Sequence, residues 1–343
     1  MPIFKCRRWS EYIRSGPISL CECGDIIMTQ HIAINGAGLI GRAWAISFAR
    51  GGHHVILRDA LPGVADKTRD QIPDLLKNLE KEDLLGQQPW EDVFSRISAT
   101  DKLEDALDGA HYVQENAPER LDVKKQVFAQ LDQLADPSTI LASSSSALLP
   151  SSFTEDLQNR ERCLVAHPIN PPYLIPAVEV VPAPWTKPEV AHRTAEILES
   201  AGHQCLRMNK EIDGFIMNRL QVALLHEAFR LVEEGYASTE DIDIGIRDGL
   251  GLRWAFMGPF ETIDLNAPGG VRDYVSRYNP LATLIGGQQN YLPDWTGKVL
   301  DVIEKQRREH VDTDDLGDRQ VWRDKRLMAL ASHKNRARND IGS

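Results

Sequence analysis

The sequence predicts an α/β protein: a doubly wound, mostly parallel β-sheet followed by a mainly α-helical second domain. Short β-rich runs alternate with longer amphipathic runs between residues 31 and 210, a pattern that favours a parallel sheet with helices on both faces. After Lys210 the β-rich runs stop. The length of 343 residues, at roughly 150 residues per domain, also indicates two domains.

The individual elements follow from hydrophobic periodicity. Strands are predicted at 31–35, 54–59, 112–115, 139–142, 163–166 and 178–181, and helices of the first domain at 62–83, 121–134 and 188–201. Apolar side chains at 215, 222, 225 and 229 form a helical stripe that ends at Gly235. Further helices are predicted at 238–247, 295–307 and 318–331.

These elements divide the chain into four segments. Residues 1–29 show no usable periodicity and are predicted to be a flexible extension, and translation is expected to start naturally at Met28. The alternative for this segment is an organelle signal. Residues 30–210 form the sheet domain, residues 211–333 the helical domain, and residues 334–343 a frayed tail.

Composition excludes several classes of protein. The chain carries 39 Lys plus Arg against 50 Asp plus Glu, a net charge of −11 that disfavours binding to nucleic acid or anionic lipid. No apolar run approaches the roughly 20 residues of a membrane span. The five cysteines lack disulfide-framework spacing, which fits a reducing, cytoplasmic compartment. Cys21 and Cys23 alone offer too few ligands for a metal site, so none is expected.

A glycine-rich loop follows the first strand. Gly36, Gly38 and Gly41 have G-x-G-x-x-G spacing and open a helix rich in small residues, the context that a dinucleotide fingerprint requires. The first glycine allows a tight turn, the second lets the backbone approach a pyrophosphate, and the third lets helix and strand pack closely. We therefore predict a Rossmann-type nucleotide site, with Leu39 and Ile40 among the residues that contact the cofactor.

An acidic residue selects the form of the cofactor. Asp59 stands 23 residues after Gly36, near the distance at which an acid receives the ribose hydroxyls. NAD is therefore expected rather than NADP. Binding of NADP is left open by Arg58, because an arginine at the strand end can reach a 2′-phosphate.

A histidine and a glutamate suggest a general base. His167 follows a strand, so it should lie at the carboxyl end, where open α/β sheets bind ligands. Glu179 interrupts the apolar run AVEVV, and a buried acid costs several kcal/mol unless it is paired. An imidazole is a suitable partner, since a carboxylate fixes its tautomer and favours its protonated form.

Two further polar features stand where packing alone would not select them. Asn218 shares its helical stripe with Phe215 and Val222, so its amide should face inward and need partners. The serines at 143–146 close a strand, and their hydroxyls can bind substrate oxygens or simply form a turn.

At this point the chain, from about residue 30 to 330, resembles the 3-hydroxyacyl-CoA dehydrogenase superfamily, and most closely its lambda-crystallin branch, the L-gulonate 3-dehydrogenases. The resemblance is carried by GAGLIGRAWAISFARGG, VQENAPERLDVKKQVFAQLD, SSSSALLPS, VAHPINPPYLIPAVEVVP, KEIDGFIMNRLQ, LVEEG and DGLGLRWAFMGPFETIDLNAPGG. It implies catalytic positions for Ser146, His167, Glu179 and Asn218, and cofactor contacts for Asp59, Glu119 and Lys124. It also implies a homodimer formed through the helical domain.

One departure bears on the substrate. Where hydroxyacyl-CoA enzymes usually show Asn-Thr-Ser and His-Phe-Phe-Asn-Pro-Pro, this chain has Ser144-Ser145-Ser146 and HPINPP. We therefore expect NAD-dependent oxidation of the 3-hydroxyl of a small hydroxy acid. The alternatives are a 3-hydroxyacyl-CoA dehydrogenase of fatty-acid metabolism, a carnitine dehydrogenase and a non-catalytic lens-type protein. The presence of His167 and Glu179 argues against a non-catalytic lens-type protein.

Arg253 is a candidate for substrate recognition. It stands between apolar residues beside Trp254, where the resemblance places the substrate-facing side. A guanidinium can donate two parallel hydrogen bonds to a carboxylate, which a thioester carbonyl cannot accept. The alternative is a solvated arginine whose stem packs on Trp254.

Overall fold

The computed structural model describes residues 29–289 and 292–342. Our expectations for residues 1–28 lie outside the described residues. Strands are formed by β1 His31–Asn35, β2 His54–Arg58, β3 Ile97–Thr100, β4 Tyr112–Glu115, β5 Ile140–Ser143, β6 Cys163–Pro168, β7 Ala177–Pro182 and β8 Gln204–Arg207. Within this part of the chain they make one eight-stranded sheet in the order β3-β2-β1-β4-β5-β6-β7-β8.

The sheet is mostly parallel, as predicted. Strands β1 to β6 pair in parallel, β7 pairs antiparallel with β6, and β8 pairs in parallel with β7. The chain leaves β1 for β2 and β3 on one side and continues with β4 on the other. Open sheets bind ligands outside the carboxyl ends of the strands at such a reversal.

The six predicted strands are present, and sequence reasoning missed β3 and β8. Both missed strands lie at the edges of the sheet and have only four residues. None of the β8 side chains is fully buried, and β3 buries only Ile97. An edge strand of this kind lacks the run of apolar residues from which the other strands were predicted.

The helices of the sheet domain cover both faces. They are α1 Leu39–Arg50, α2 Val64–Asp70, α3 Ile72–Lys81, α4 Trp90–Ser95, α5 Leu103–Leu107, α6 Leu121–Leu134, α7 Pro150–Thr154 and α8 Pro188–Ser200. Ile32 and Ile34 of β1 pack in one core cluster, whereas Ala33 packs in the other. The single helix predicted at 62–83 is two, because Pro73 in the first turn of α3 favours a new helix start there.

The second part of the described chain is helical, as predicted. It contains α9 Met217–Glu233, α10 Thr239–Ile244, a π-helical turn Gly245–Leu250, α11 Gly251–Trp254, α12 Pro259–Leu265, α13 Gly270–Gln288, α14 Lys298–Arg308 and α15 Leu316–Ile341. The side chain of Ser238 accepts the backbone N–H of Asp241 and so caps the start of α10. Across 29–289 and 292–342, no helix is long and apolar enough to cross a membrane.

The expectation of a frayed tail at 334–343 is wrong, since α15 continues to Ile341. Met328 is buried, and with Leu327 and Ala331 it packs against the core of the sheet domain. No glycine or proline follows these anchoring residues until Gly342. These buried contacts hold the helix in place, and no glycine or proline ends it before Gly342.

Candidate active site

The glycine-rich loop has the backbone that its spacing predicts. Gly36 has φ +106°, a left-handed value, and a Cβ there would lie 2.9 Å from the carbonyl carbon of Asn116. A Cβ on Gly41 would lie 1.9 Å from the carbonyl oxygen of Gly36. A Cβ on Gly38, which precedes α1, would meet nothing within 4 Å. Open space at a helix N-terminus fits a phosphate group of a dinucleotide.

The residues at the end of β2 complete this loop. Asp59 accepts the backbone N–H of Ala37 at 2.8 Å and that of Leu61 at 3.0 Å, which leaves carboxylate lone pairs for ribose hydroxyls. Arg58 was the residue that left binding of NADP open. In the structure it donates a hydrogen bond to the Asn35 side chain at 2.9 Å. Leu39, next to Gly38, is largely exposed.

The predicted histidine and glutamate are directly bonded. His167 of β6 and Glu179 of β7 face each other in the antiparallel register, and His167 Nδ1 lies 2.7 Å from Glu179 Oε2. Both side chains are buried. In the tautomer that donates Nδ1–H to Glu179, the lone pair of Nε2 is left to accept a proton.

The other oxygen of Glu179 holds the start of the second domain. Glu179 Oε1 accepts the backbone N–H groups of Ile216 at 2.6 Å and Met217 at 2.8 Å, where α9 begins. Helix N-termini carry partial positive charge, so this contact stabilises the carboxylate. The predicted start of the helix at Phe215 is two residues early because Phe215 has φ +50°. Its ring centroid lies 5.5 Å from that of His167.

Asn218 and Ser146 are also brought together. Asn218 Nδ2 donates to the carbonyl oxygen of Ser146 at 2.7 Å, which links α9 to the serine run. The hydroxyl of Ser146 has no partner among the described residues and faces the same cavity as His167.

A cavity of about 630 Å³ joins these groups. Of the predicted residues, it is lined by Ile40, Glu119, Lys124, Ser146, His167 and Asn218, and it is also lined by Asn116, Asn170 and Gln221, which were not predicted. Glu179 lies behind His167. Arg253 is exposed on α11 and does not line this cavity, so its role in binding a carboxylate stays a prediction.

Sequence reasoning missed the buried partner of Lys124. Lys124 Nζ donates to both carboxylate oxygens of Glu115, at 2.9 and 2.8 Å, and both side chains are buried. Ser143 donates its hydroxyl to the same carboxylate at 2.6 Å, and Ala117 donates its backbone N–H. Burial raises the pKa of Glu115, while Lys124 and these hydrogen bonds lower it. The sequence signal for this pair was Glu115 itself, an acid at the end of the apolar run YVQE that needs a buried partner.

Glu119 organises the serine run. Its Oε1 accepts the hydroxyl of Ser145 at 2.6 Å and the backbone N–H of Ser146 at 3.0 Å. Ala147 and Leu148 donate their backbone N–H groups to the same oxygen. Burial raises the pKa of Glu119, but these hydrogen bonds and nearby Lys124 lower it below its ordinary value. Glu119 is thus ionised at neutral pH and fixes the wall that carries Ser146.

Ser144 is held by a separate network. Its hydroxyl accepts Trp44 Nε1 at 2.9 Å and Gln114 Nε2 at 2.7 Å, and donates to Asn116 Oδ1 at 2.7 Å. These bonds use the donor and both lone pairs of the hydroxyl. Ser144 therefore anchors the serine run and is not free to bind substrate. For Ser144, the structure thus favours the alternative in which the serines serve a structural role.

Fold and site together define an NAD-dependent dehydrogenase that acts on CH–OH groups. The family model for the 3-hydroxyacyl-CoA dehydrogenase NAD-binding domain matches residues 31–212, and that for the C-terminal domain matches residues 214–285. The chain belongs to the 3-hydroxyacyl-CoA dehydrogenase family, and the predicted resemblance is confirmed.

Curated relatives refine this placement. Lambda-crystallin of Oryctolagus cuniculus is 41% identical over 306 residues, covering 88% of this chain and 96% of the relative. L-carnitine dehydrogenase of Pseudomonas sp is 36% identical over 298 residues, covering 86% and 91%. The chain is therefore lambda-crystallin-like over most of its length.

Solved structures agree with the fold. The NAD⁺-dependent 5-formyl-3-hydroxy-2-methylpyridine 4-carboxylic acid 5-dehydrogenase has a TM-score of 0.75 and 26% identity, covering 92% of this chain and 100% of that chain. A 3-hydroxyacyl-CoA dehydrogenase from Archaeoglobus fulgidus has a TM-score of 0.64 and 27% identity, covering 80% and 87%.

The Lys124–Glu115 pair yields a test of stability. Lys124→Met leaves a buried carboxylate without its cation, which we expect to cost about 3–5 kcal/mol of unfolding free energy. Losing Lys124 raises the pKa of Glu115 further, so the folded carboxyl holds its proton more tightly than the unfolded one. Burial has already raised the wild-type pKa above the ordinary value of 4.5, so the deficit relative to the wild type should grow as the pH rises above that raised wild-type pKa.

Urea unfolding between pH 5 and 8 measures this deficit. The control is the double variant Glu115→Gln/Lys124→Met, in which no charge remains and the deficit should stay constant over the pH range in which that of Lys124→Met grows. A deficit of Lys124→Met that is constant or shrinks as the pH rises would contradict the assignment of the buried pair.

Proposed function

We propose that this protein oxidises the 3-hydroxyl of a small free hydroxy acid with NAD, in the manner of an L-gulonate 3-dehydrogenase. The observation that carries the proposal is the His167–Glu179 pair, which faces a cavity whose wall is rich in amides and hydroxyls. Ser146, Asn218 and Gln221 belong to that wall. A polyhydroxylated acid offers such a wall many hydrogen-bonding groups, whereas an acyl chain offers few.

The proposed cofactor contacts follow the loop geometry. The glycine loop from Gly36 to Gly41, with Leu39 and Ile40, would hold the pyrophosphate, and Asp59 the ribose hydroxyls. When bound, NAD accepts a hydride from the carbinol carbon. Lys124 and Glu119 would shape the cofactor side of the cavity, Lys124 chiefly by fixing the loop through its carbonyl contact with Ala117 at 3.0 Å.

The proposed proton path uses His167 as the general base. Nε2 of the neutral ring removes the hydroxyl proton as the carbinol carbon loses its hydride, so that the C–O bond becomes a carbonyl. Glu179 stabilises the imidazolium that forms. General-base catalysis of this kind contributes about 10²- to 10⁴-fold to the rate.

Ser146 and Asn218 are assigned to the substrate oxygen. The free Ser146 hydroxyl would donate to the developing carbonyl, and Asn218 would position it through the Ser146 carbonyl. Because Asn218 lies on α9, movement of the helical domain would complete or open the site.

We also infer a cytoplasmic homodimer. Helix α13 has no buried residue in the single chain, and its apolar side chains Val275, Leu281 and Leu284 are each at least half exposed. Phe260 of α12 is 81% exposed. Exposed apolar surface on this scale marks an interaction site. Sedimentation equilibrium should give twice the chain mass of 38.5 kDa, and a monomer at micromolar concentration would contradict the inference.

The substrate class is tested by a direct comparison. NAD reduction is followed with L-gulonate, L-3-hydroxybutyrate, L-carnitine and 3-hydroxybutyryl-CoA. We expect a free hydroxy acid to give a kcat/KM at least about tenfold above that of the thioester, a difference of one charge-assisted hydrogen bond. A preference for 3-hydroxybutyryl-CoA would assign the protein to acyl-CoA oxidation, and a preference for carnitine to that dehydrogenase activity.

The general base is tested by two variants. His167→Asn should lower kcat at least about 10²-fold with little change in NADH affinity, because the base is lost and the glycine loop is intact. Glu179→Gln should also lower kcat, because the imidazole loses the carboxylate that accepts its Nδ1 proton and stabilises the imidazolium. Near-normal turnover in either variant would refute the pairing.

A further inference from the structure

A second cavity of about 430 Å³ lies between helix α15 and the loop that joins β6 to β7. It shares no lining residue with the catalytic cavity. Its lining contains no Asp, Glu, His, Cys or Ser, so it lacks the groups of a general base or a metal site. The proposed dehydrogenase mechanism does not use it.

Three cations line this cavity without a carboxylate. They are Arg50 at the end of α1, and Lys334 and Arg338 on α15. None of them forms an ion pair anywhere in residues 29–289 and 292–342. Lys334 and Arg338 are four residues apart, so they lie on one face of the helix. The charge of the lining is therefore +3, with no acidic residue to offset it.

Arg50 is held in a fixed position. Its Nη1 donates to the carbonyl oxygen of Tyr173 at 3.0 Å and makes a longer contact of 3.5 Å with that of Leu84. Its Nε and Nη2 have no acceptor in the described part of the chain. Burial lowers the pKa of this guanidinium. The free side of the fork is suited to a planar carboxylate or to a phosphate.

The rest of the wall is mostly apolar, with Gln204 and Asn335 as uncharged polar members. Leu84, Leu174, Leu327 and Leu330 line the same cavity as the three cations. A volume of 430 Å³ falls within the range of small-molecule sites. We propose that this cavity binds a small organic anion, whose carboxylate or phosphate contacts Arg50, Lys334 and Arg338 and whose apolar body packs on the leucines.

The site adjoins the catalytic wall through a single loop. Ile169 and Asn170 line the catalytic cavity, and residues 172–176 of the same loop line the second cavity. An occupant would therefore contact the segment between His167 and Glu179. The second cavity is thus separate from the catalytic cavity and touches it only through this loop.

The proposal is tested by titration calorimetry on the full chain saturated with NADH, so that the glycine loop is occupied. The probes are octanoate, octyl phosphate and inorganic phosphate, which separate carboxylate from phosphate and the apolar body from charge alone. We expect one site per chain for at least one amphiphile, bound about tenfold more tightly than inorganic phosphate because of its buried chain.

Two matched double variants locate the site. Lys334→Gln/Arg338→Gln should weaken binding of the amphiphile about tenfold or more, since each lost contact is a charge-assisted hydrogen bond. Lys325→Gln/Arg336→Gln removes the same charge from α15 outside the lining and should leave the affinity unchanged. Arg50→Met should abolish binding. Because this variant also loses the hydrogen bond to Tyr173, its Tm is measured to show that it remains folded.

The outcomes that overturn the proposal are specific. They are the absence of binding by both amphiphiles at millimolar concentration, and equal weakening in the two double variants, which would show a non-specific charge effect. The measurement involves no turnover, so failure of the proposed dehydrogenase function would leave this result unaffected.

Discussion

The buried carboxylate of Glu179 is the contact on which the site depends. One oxygen holds His167, and the other receives two backbone N–H groups at the start of α9. A buried carboxylate without such partners would cost several kcal/mol. The same group therefore orients the imidazole and fixes the first turn of α9, so that the proposed base and the start of the helical part share one anchor.

Two other carboxylates, Glu115 and Glu119, hold the segments that follow β4 and β5. Glu115 is saturated by Lys124, Ser143 and Ala117, and Glu119 gathers the hydrogen bonds of the serine run. Each acid satisfies backbone or hydroxyl donors of a loop that has no secondary structure of its own. The loops at the carboxyl ends of β4 and β5 are consequently rigid, which suits a site that must hold two reactants in line.

The sheet, the glycine loop and the His167–Glu179 pair were predictable because each has a local cause: alternating apolar runs, glycine spacing, and an acid inside an apolar strand. The edge strands were not, since they bury too little to leave a pattern. The partner of Lys124 also escaped prediction. A lysine on an amphipathic helix ordinarily faces solvent, and only the tertiary contact with β4 shows that this one is buried.

The antiparallel pairing of β6 with β7 has a consequence for how the family diversifies. His167 and Glu179 are cross-strand partners, so the ladder, and not the intervening loop, sets their distance. Insertions or substitutions in that loop would alter the walls of both cavities while leaving the His167–Glu179 pair in place. The shapes of the two cavities can thus change during evolution by loop variation alone, at little risk to the geometry of the pair.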